Sequence, residues 1–222
     1  MPLTASETKN GCTTIELGSL AIDEASILRI QGYRDLSTVR RPIKRAASSA
    51  ARLTEELAKP RIYFRTFDVA HCQGKTLSLE GGVTFENEAF GRFLTGAEQI
   101  VVFIMTMGEA LDEAVIESIS SDRLLDALFL EASGWLGIEA ATKTLSKHLR
   151  ELGRPEGRCL SLRLGPGYSY KVDGRDVHWP LEQQQTLFRL FADDPIDVQL
   201  LESCAMLPKL SRSGLYGYLP SC

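Results

Sequence analysis

The sequence predicts an α+β fold, a single domain in which helices flank a mixed or antiparallel sheet. Three observations carry this expectation. Strand-like and helix-like stretches are interspersed without the regular β-α-β alternation of a parallel sheet. Thr76 to Phe85 sets Gly81-Gly82 between two short alternating runs, the pattern of a hairpin. Gln99 to Met105 is apolar at consecutive positions, as in a strand covered on both faces. A chain of 222 residues can bury a sizeable core. Residues 16–222 are expected to form that domain, behind a polar, Thr- and Ser-rich tail over 1–15 that frays.

In chain order, Glu24 to Tyr33 carries Ile27, Leu28 and Ile30 and fits either a strand or a single helical turn. From Pro42 to Leu57, Ile43, Ala46, Ala47, Ala50 and Leu57 recur near helical spacing, with proline in the first turn and Lys59-Pro60 as the stop. Arg61 to Phe67 is β-branched and aromatic, hence a strand. Asn87 caps a short helix through Phe90, Phe93 and Leu94, ended by Gly96. After the buried strand, a helix over about Glu109 to Ser118 sets Leu111, Val115 and Ile119 on one face. A second helix starts near an Asp122 cap and runs to about Leu152, with Leu124, Leu125, Leu128, Leu136 and Leu145 inside. Gly134 and Gly137 fall in its interior, each costing up to about 1 kcal/mol relative to alanine, so another backbone or a small molecule is expected to come close there. Val172-Asp-Gly-Arg175 is a tight turn, and Pro180 opens a helix bearing Leu181, Leu187, Phe188 and Phe191. Asp197 to Leu201 and Gly214 to Tyr218 read as strands, joined by a loop with Pro208 and Ser211-Arg-Ser-Gly214.

Composition removes several function classes. A net charge of −4 with no basic arm argues against nucleic acid as a partner. The longest apolar run, Ile100 to Met105, is far too short to span a bilayer, and no apolar segment follows a basic start. A soluble, cytoplasmic protein with no membrane partner is expected. The five cysteines, at 12, 72, 159, 204 and 222, show no C-x-x-C spacing and no histidine at ligand intervals. Reduced, mostly structural thiols and no metal site follow. Asp68-Val-Ala-His71-Cys-Gln-Gly74 looks like a cobalt-ligating Asp-x-His-x-x-Gly motif, but its aspartate stands one residue too far away and no Rossmann-like pattern surrounds it.

The stretch with the most chemistry is Arg163-Leu-Gly-Pro-Gly-Tyr168. Pro166 presets φ for the second position of a β-turn, and Gly167 accepts the positive φ that a type II turn needs next. The alternation in Cys159-Leu-Ser-Leu-Arg163 delivers Arg163 to the mouth of that turn as a planar fork of donors for a carboxylate or phosphate. Tyr168 leaves the turn as an exposed aromatic. A plain hairpin connection with a surface arginine is the competing reading, just as Glu139, two residues beyond Gly137, reads either as a ligand group or as a solvated helix residue.

Taken together, these motifs resemble the activation (reactivation) domain of cobalamin-dependent methionine synthase and its stand-alone bacterial relatives. Arg163, Gly167 and Tyr168 match the family's Arg-x-x-x-Gly-Tyr signature. Pro166-Gly167-Tyr168, Trp179-Pro180-Leu181 and Gln184 match a segment of the stand-alone members. Leu201-Glu-Ser203, Met206-Leu-Pro208 and Ser211-Arg-Ser-Gly214 match the downstream pattern, with Tyr216 as the following tyrosine and Glu139 aligned to a ligand-contacting glutamate. The likeness covers about Ile100 to Tyr218. Ser169 to His178 is longer than the family's usual link, and no equivalent of the synthase's early aspartate is identified in residues 1–60.

The resemblance implies an S-adenosylmethionine site. Arg163 would take the carboxylate, Glu139 the ammonium or ribose, and the backbone of Gly165 to Gly167 the remaining polar groups. Tyr168 and Tyr216 would face the corrin of a cobalamin-carrying methyltransferase. It further implies reductive methylation: a flavodoxin-like or other one-electron donor reduces cob(II)alamin, and the methyl of S-adenosylmethionine traps the product. No catalytic side chain is required, since the protein orients while the cofactor reacts. The alternative is an interaction module that caps a corrinoid protein without methyl transfer. A hydrolase has no triad-like constellation behind it.

Overall fold

The computed structural model describes residues 3–7, 11–18 and 20–220. Its centre is an antiparallel sheet of order β1-β2-β3-β6-β12-β7, formed by Leu3–Glu7, Thr13–Leu17, Arg61–Gln73, Gln99–Thr106, Ser211–Leu219 and Cys159–Leu160. β4 (Thr76–Leu79) and β5 (Thr84–Glu86) extend the outer end of β3, where a bulge between Val69 and His71 bends the strand. β8 (Ser169–Val172) pairs with β9 (Arg175–His178), and β10 (Gln199–Leu200) with β11 (Met206–Leu207), as separate two-stranded units.

The α+β expectation holds, with an antiparallel sheet. Side chains on a strand alternate between faces, and β6 uses both. Val101, Phe103 and Met105 enter a core closed by α1 (Glu24–Ile30), α2 (Arg41–Leu57), α4 (Glu109–Ser120) and α5 (Leu124–Gly153). Ile100, Val102 and Ile104 enter a second core beneath α3 (Ala89–Phe93), α6 (Gln184–Arg189) and the β8–β9 hairpin. A strand with two buried faces can carry an unbroken apolar run. α2 meets α5 through Ala46, Ala47, Ala50 and Ala51, small enough for the two backbones to approach.

Several expectations are corrected. Among the described residues of 1–15 are β1 and the first part of β2; the two strands pair from Leu3↔Leu17 to Glu7↔Thr13, and β2 joins β3. The alternation that buries Ile15 and Leu17 on one face is there in the sequence, diluted by threonines. Within residues 24–33 the stretch Glu24–Ile30 is a helix, capped by the Asp23 carboxylate, which accepts from the amides of Ala25 and Ser26. Asp122 does not cap α5. Its φ is +57°, Arg123 holds the cap position, and Leu124, Leu125 and Leu128 stay exposed while Ala127, Phe129 and Leu130 of the same turns enter the core. Ile119 is likewise exposed. Ser211 to Gly214 lies inside β12 instead of a loop, and only Gln199–Leu200 of the 197–201 segment is strand.

The interior glycines of α5 face the chain's own side chains. A Cβ on Gly134 would meet Leu210 and Leu111, and one on Gly137 would meet Met107 and Leu20. Cys12, Cys72 and Cys204 are reduced thiols, as expected, whereas Cys159 is disulfide-bonded; Cys222 lies outside the described residues. No described helix is long and apolar enough to cross a membrane.

Gly214 shows how tightly β12 is held. A Cβ there would lie 2.5 Å from the Leu164 carbonyl oxygen and 3.1 Å from the Phe103 ring, and a backbone neighbour cannot rotate away. Gly214→Ala is therefore expected to cost about 2–3 kcal/mol, in the range of overpacked cores. Urea unfolding would read this as a lower midpoint at unchanged m-value; a loss under about 0.5 kcal/mol would contradict the packing described.

Candidate functional site

The Gly165 to Tyr168 turn forms as its residue types require. Gly167 has φ +83°, and the Tyr168 amide donates to the Gly165 carbonyl at 3.3 Å, closing a type II turn around Pro166. Two aromatic residues then pin it. The Tyr170 hydroxyl accepts from the Gly165 amide at 2.6 Å and sits 3.2 Å from the Gly165 carbonyl. The Trp179 backbone receives the Gly167 amide at 2.8 Å and donates to the Tyr168 carbonyl at 2.9 Å. Trp179 itself is fully buried, with its ring edge-on to Phe85 and Phe90.

The long Ser169 to His178 link is the β8–β9 hairpin, turning on Asp173 (φ +49°) and Gly174 (φ +80°). Positive φ at both central residues matches the twist of a two-residue hairpin. Its added length thus carries Trp179 back to Tyr168 in register.

Arg163 is half-buried. Its guanidinium carbon lies 4.4 Å from the Tyr168 ring centroid, a cation–π contact that orients the fork. Nη1 is buried and has no hydrogen-bond partner among the described residues. A buried donor left unmade costs on the order of 1–3 kcal/mol, so this atom is poised to take an acceptor. Leu162, beside it, is 54% exposed and Tyr168 37%, which leaves the mouth of the turn apolar and open.

Glu139 reaches the same region from α5. Its carboxylate accepts from Arg212 Nη2 at 2.6 Å, and the hydrogen bond to Arg212 holds its pKa below the usual glutamate range, against the opposing effect of burial. The charges of Arg212, Arg163 and Lys143 add to that lowering. Arg212 also donates from Nη1 to Thr142 Oγ1 at 2.9 Å. Sequence reasoning missed Arg212 and Tyr170. The i, i+3 placement of Glu139 and Thr142 on one helix face, opposite a strand bearing an arginine, was the available signal.

The structure therefore brings Arg163, Gly165, Gly167, Tyr168 and Glu139 to one region, and it places Tyr216 beneath them. Tyr216 is 3% exposed, stacked on Phe103 at 5.6 Å, and burial raises its pKa. It lies in the core. The bare position of Gly165 faces the Ser213 carbonyl, at 2.9 Å from a built Cβ, so it serves strand packing. A cleft of about 720 Å³ between the start of α4 and Pro208 contains none of these residues. Asp68 accepts from Gln99, and the described residues contain no cluster of three metal-ligating side chains.

No protein-family model matches the chain, and no curated protein matches it. Among solved structures, a crystal structure of the MetH reactivation domain bound to AdoHcy aligns with a TM-score of 0.70. The alignment covers 98% of this chain and 81% of that one at 16% identity. The architecture is thus an α+β domain with a curled antiparallel sheet and helices on its face. More particularly, it is the fold of the MetH reactivation domain.

The Arg212 contact makes a prediction. The Glu139 carboxyl, followed by carbon-detected NMR, is expected to titrate below the ordinary glutamate value of about 4.3. Because the folded pKa is depressed, the associated stability is present above the unfolded value and is lost as pH falls through the folded one. Arg212→Met should move the midpoint upward; an unchanged midpoint would show that the hydrogen bond is not formed in solution.

Proposed function

We propose that this chain is a cytoplasmic reactivation module, of the stand-alone bacterial form, that binds S-adenosylmethionine and docks on a cobalamin-carrying methyltransferase. The observation that carries the reading is the buried, unpartnered Nη1 of Arg163 beside a pinned Gly-Pro-Gly turn, with an ionised glutamate across from it. The ligand's amino-acid end is a zwitterion. Arg163 suits its carboxylate as a planar donor, while Glu139 offers the carboxylate oxygen not used by Arg212 to its ammonium or ribose. The Gly165 to Gly167 backbone lines the rest. AdoHcy bound to a structure of the same fold supports the choice of ligand class.

In this reading the partner's corrinoid supplies the cobalt that accepts a methyl group, after one electron from a flavodoxin-like or other donor. The chain's own residues orient the methyl donor and exclude water. Tyr168, exposed at the mouth, is the tyrosine on the partner's side. Positioning of this kind needs no general base.

Isothermal titration with AdoHcy is expected to give saturable binding, weakened at least tenfold by Arg163→Ala. Arg163→Lys should restore little, because a point charge lacks the second donor. Undiminished binding by Arg163→Ala would remove the site assignment. For the activity, a cob(II)alamin-form methionine synthase lacking its own reactivation domain should form methylcobalamin absorbance. That change should require the chain, S-adenosylmethionine and a one-electron reductant together.

The burial of Tyr216 favours a second reading, in which the chain caps a corrinoid protein without methyl transfer. Binding to that synthase with no AdoHcy heat would select it.

A further inference from the structure

Arg212 is an unusual residue for its position. It stands on β12, whose residues from Ser211 to Tyr218 are all buried, and is itself only 6% exposed. Replacing a buried ion pair by apolar groups of similar size is often neutral or stabilising, so fold stability alone does not explain it. Its geometry is specific. Nη1 donates to Thr142 at 2.9 Å and Nη2 to Glu139 at 2.6 Å, while Thr142 donates onward to the Ile138 carbonyl at 2.7 Å. Both arms of the guanidinium are therefore tied to consecutive turns of α5. Nε is buried without a partner, which leaves the two arms as its only fastenings among the described residues.

Glu139 is half-exposed, so Arg212 acts on a carboxylate that would otherwise be free to move. Arg163 lies near enough to act on the same carboxylate through its charge. The antiparallel Leu164–Leu215 bridge sets Arg163 across from Tyr216, which shares the α5 face of β12 with Arg212, so both arginines lie on the side from which Glu139 approaches. If Glu139 turned to Arg163, both charges of the candidate site would be consumed by each other, and neither end of a zwitterion would find a partner.

We propose that Arg212 is a positioning residue that holds Glu139 away from Arg163, keeping one cation and one anion separately available to a zwitterionic ligand. The proposal rests on the reading of Arg163 and Glu139 as the ligand's two grips. It assigns to β12 a role in the site that neither grip performs: preventing the site from neutralising itself.

A double-mutant cycle with AdoHcy titration tests it, because such a cycle isolates the coupling between two residues. In the otherwise native chain, Arg212→Met is expected to weaken binding at least tenfold. In a Glu139→Gln background, where no carboxylate remains to capture Arg163, the same change should cost less than about threefold. Arg212→Lys, able to reach Glu139 with one donor, should recover most of the native affinity. Should Arg212→Met fail to fold, as judged by urea unfolding, Arg212→Ala and Arg212→Gln enter the same cycle. Equal losses in both backgrounds would mean that Arg212 only packs α5 against the sheet, and would overturn the proposal while leaving the ligand reading intact. No binding by the native chain would overturn both.

Discussion

Every residue of β12 from Ser211 to Tyr218 is buried, and this two-sided burial is the constraint on which the rest of the structure depends. A central strand pressed between two cores can hold only apolar groups, small groups, or polar groups whose hydrogen bonds are made within the protein. The chain meets the requirement residue by residue. Ser213 donates to Gln184, which in turn donates to the Cys204 carbonyl. Gly214 admits the Leu164 carbonyl, and Gly217 accepts a close approach from Leu94. Arg212 makes hydrogen bonds to Thr142 and Glu139 of α5 through its two terminal nitrogens, with its buried Nε an exception among the described residues. Motifs that lie far apart in the chain are thus joined by one accounting problem: Gln184 follows Trp179-Pro-Leu, Cys204 follows Glu202-Ser203, and Ser213 belongs to Ser-x-Ser-Gly.

The same logic extends to the Gly165 to Tyr168 turn. Leu164 bridges to Leu215 through two hydrogen bonds, which fixes the turn to the central strand on one side. Trp179 and Tyr170 hold it on the other. A turn restrained this way does not adapt to a ligand; it presents Arg163 already oriented. Preorganisation of this kind lowers the ordering cost of binding, and its components are backbone hydrogen bonds and buried rings supplied by the chain itself.

How much was legible follows from which signals are local. The α2 helix, the β4–β5 hairpin, the buried β6 strand and the type II turn each announce themselves within a dozen residues, through alanine spacing, Gly81-Gly82, an apolar run and Pro166-Gly167. The β1–β2 hairpin was missed because threonine serves a strand as well as a loop, and the decisive evidence is the pairing of β2 with β3 some fifty residues away. The glycines of α5 were legible as close contacts, but not what approaches them, because Leu210 and Met107 arrive from distant loops. In the site, Arg163 and Tyr168 could be named from turn chemistry alone. Arg212 could not, since Ser211-Arg-Ser-Gly214 reads as a loop, where an arginine faces water, until β12 is seen to start at Ser211 beneath α5. Tyr216 was placed near a partner's surface by its motif, yet strand alternation from Arg212 puts it on the α5 face of β12, in the core.

That alternation also bears on why so little sequence identity suffices for so close a fold. At 16% identity most side chains differ from those of the MetH reactivation domain, while 98% of the chain still aligns. What a two-core sheet demands is a pattern: apolar residues on both faces of β6, small or satisfied residues along β12, and an aromatic anchor behind the turn. Such demands specify size and hydrogen-bonding capacity more than identity. A buried arginine is the exception, because it needs a particular partner at a particular distance. Arg212 therefore depends on Thr142 and Glu139 standing where they do, a constraint of distance and direction that the apolar positions around it do not carry.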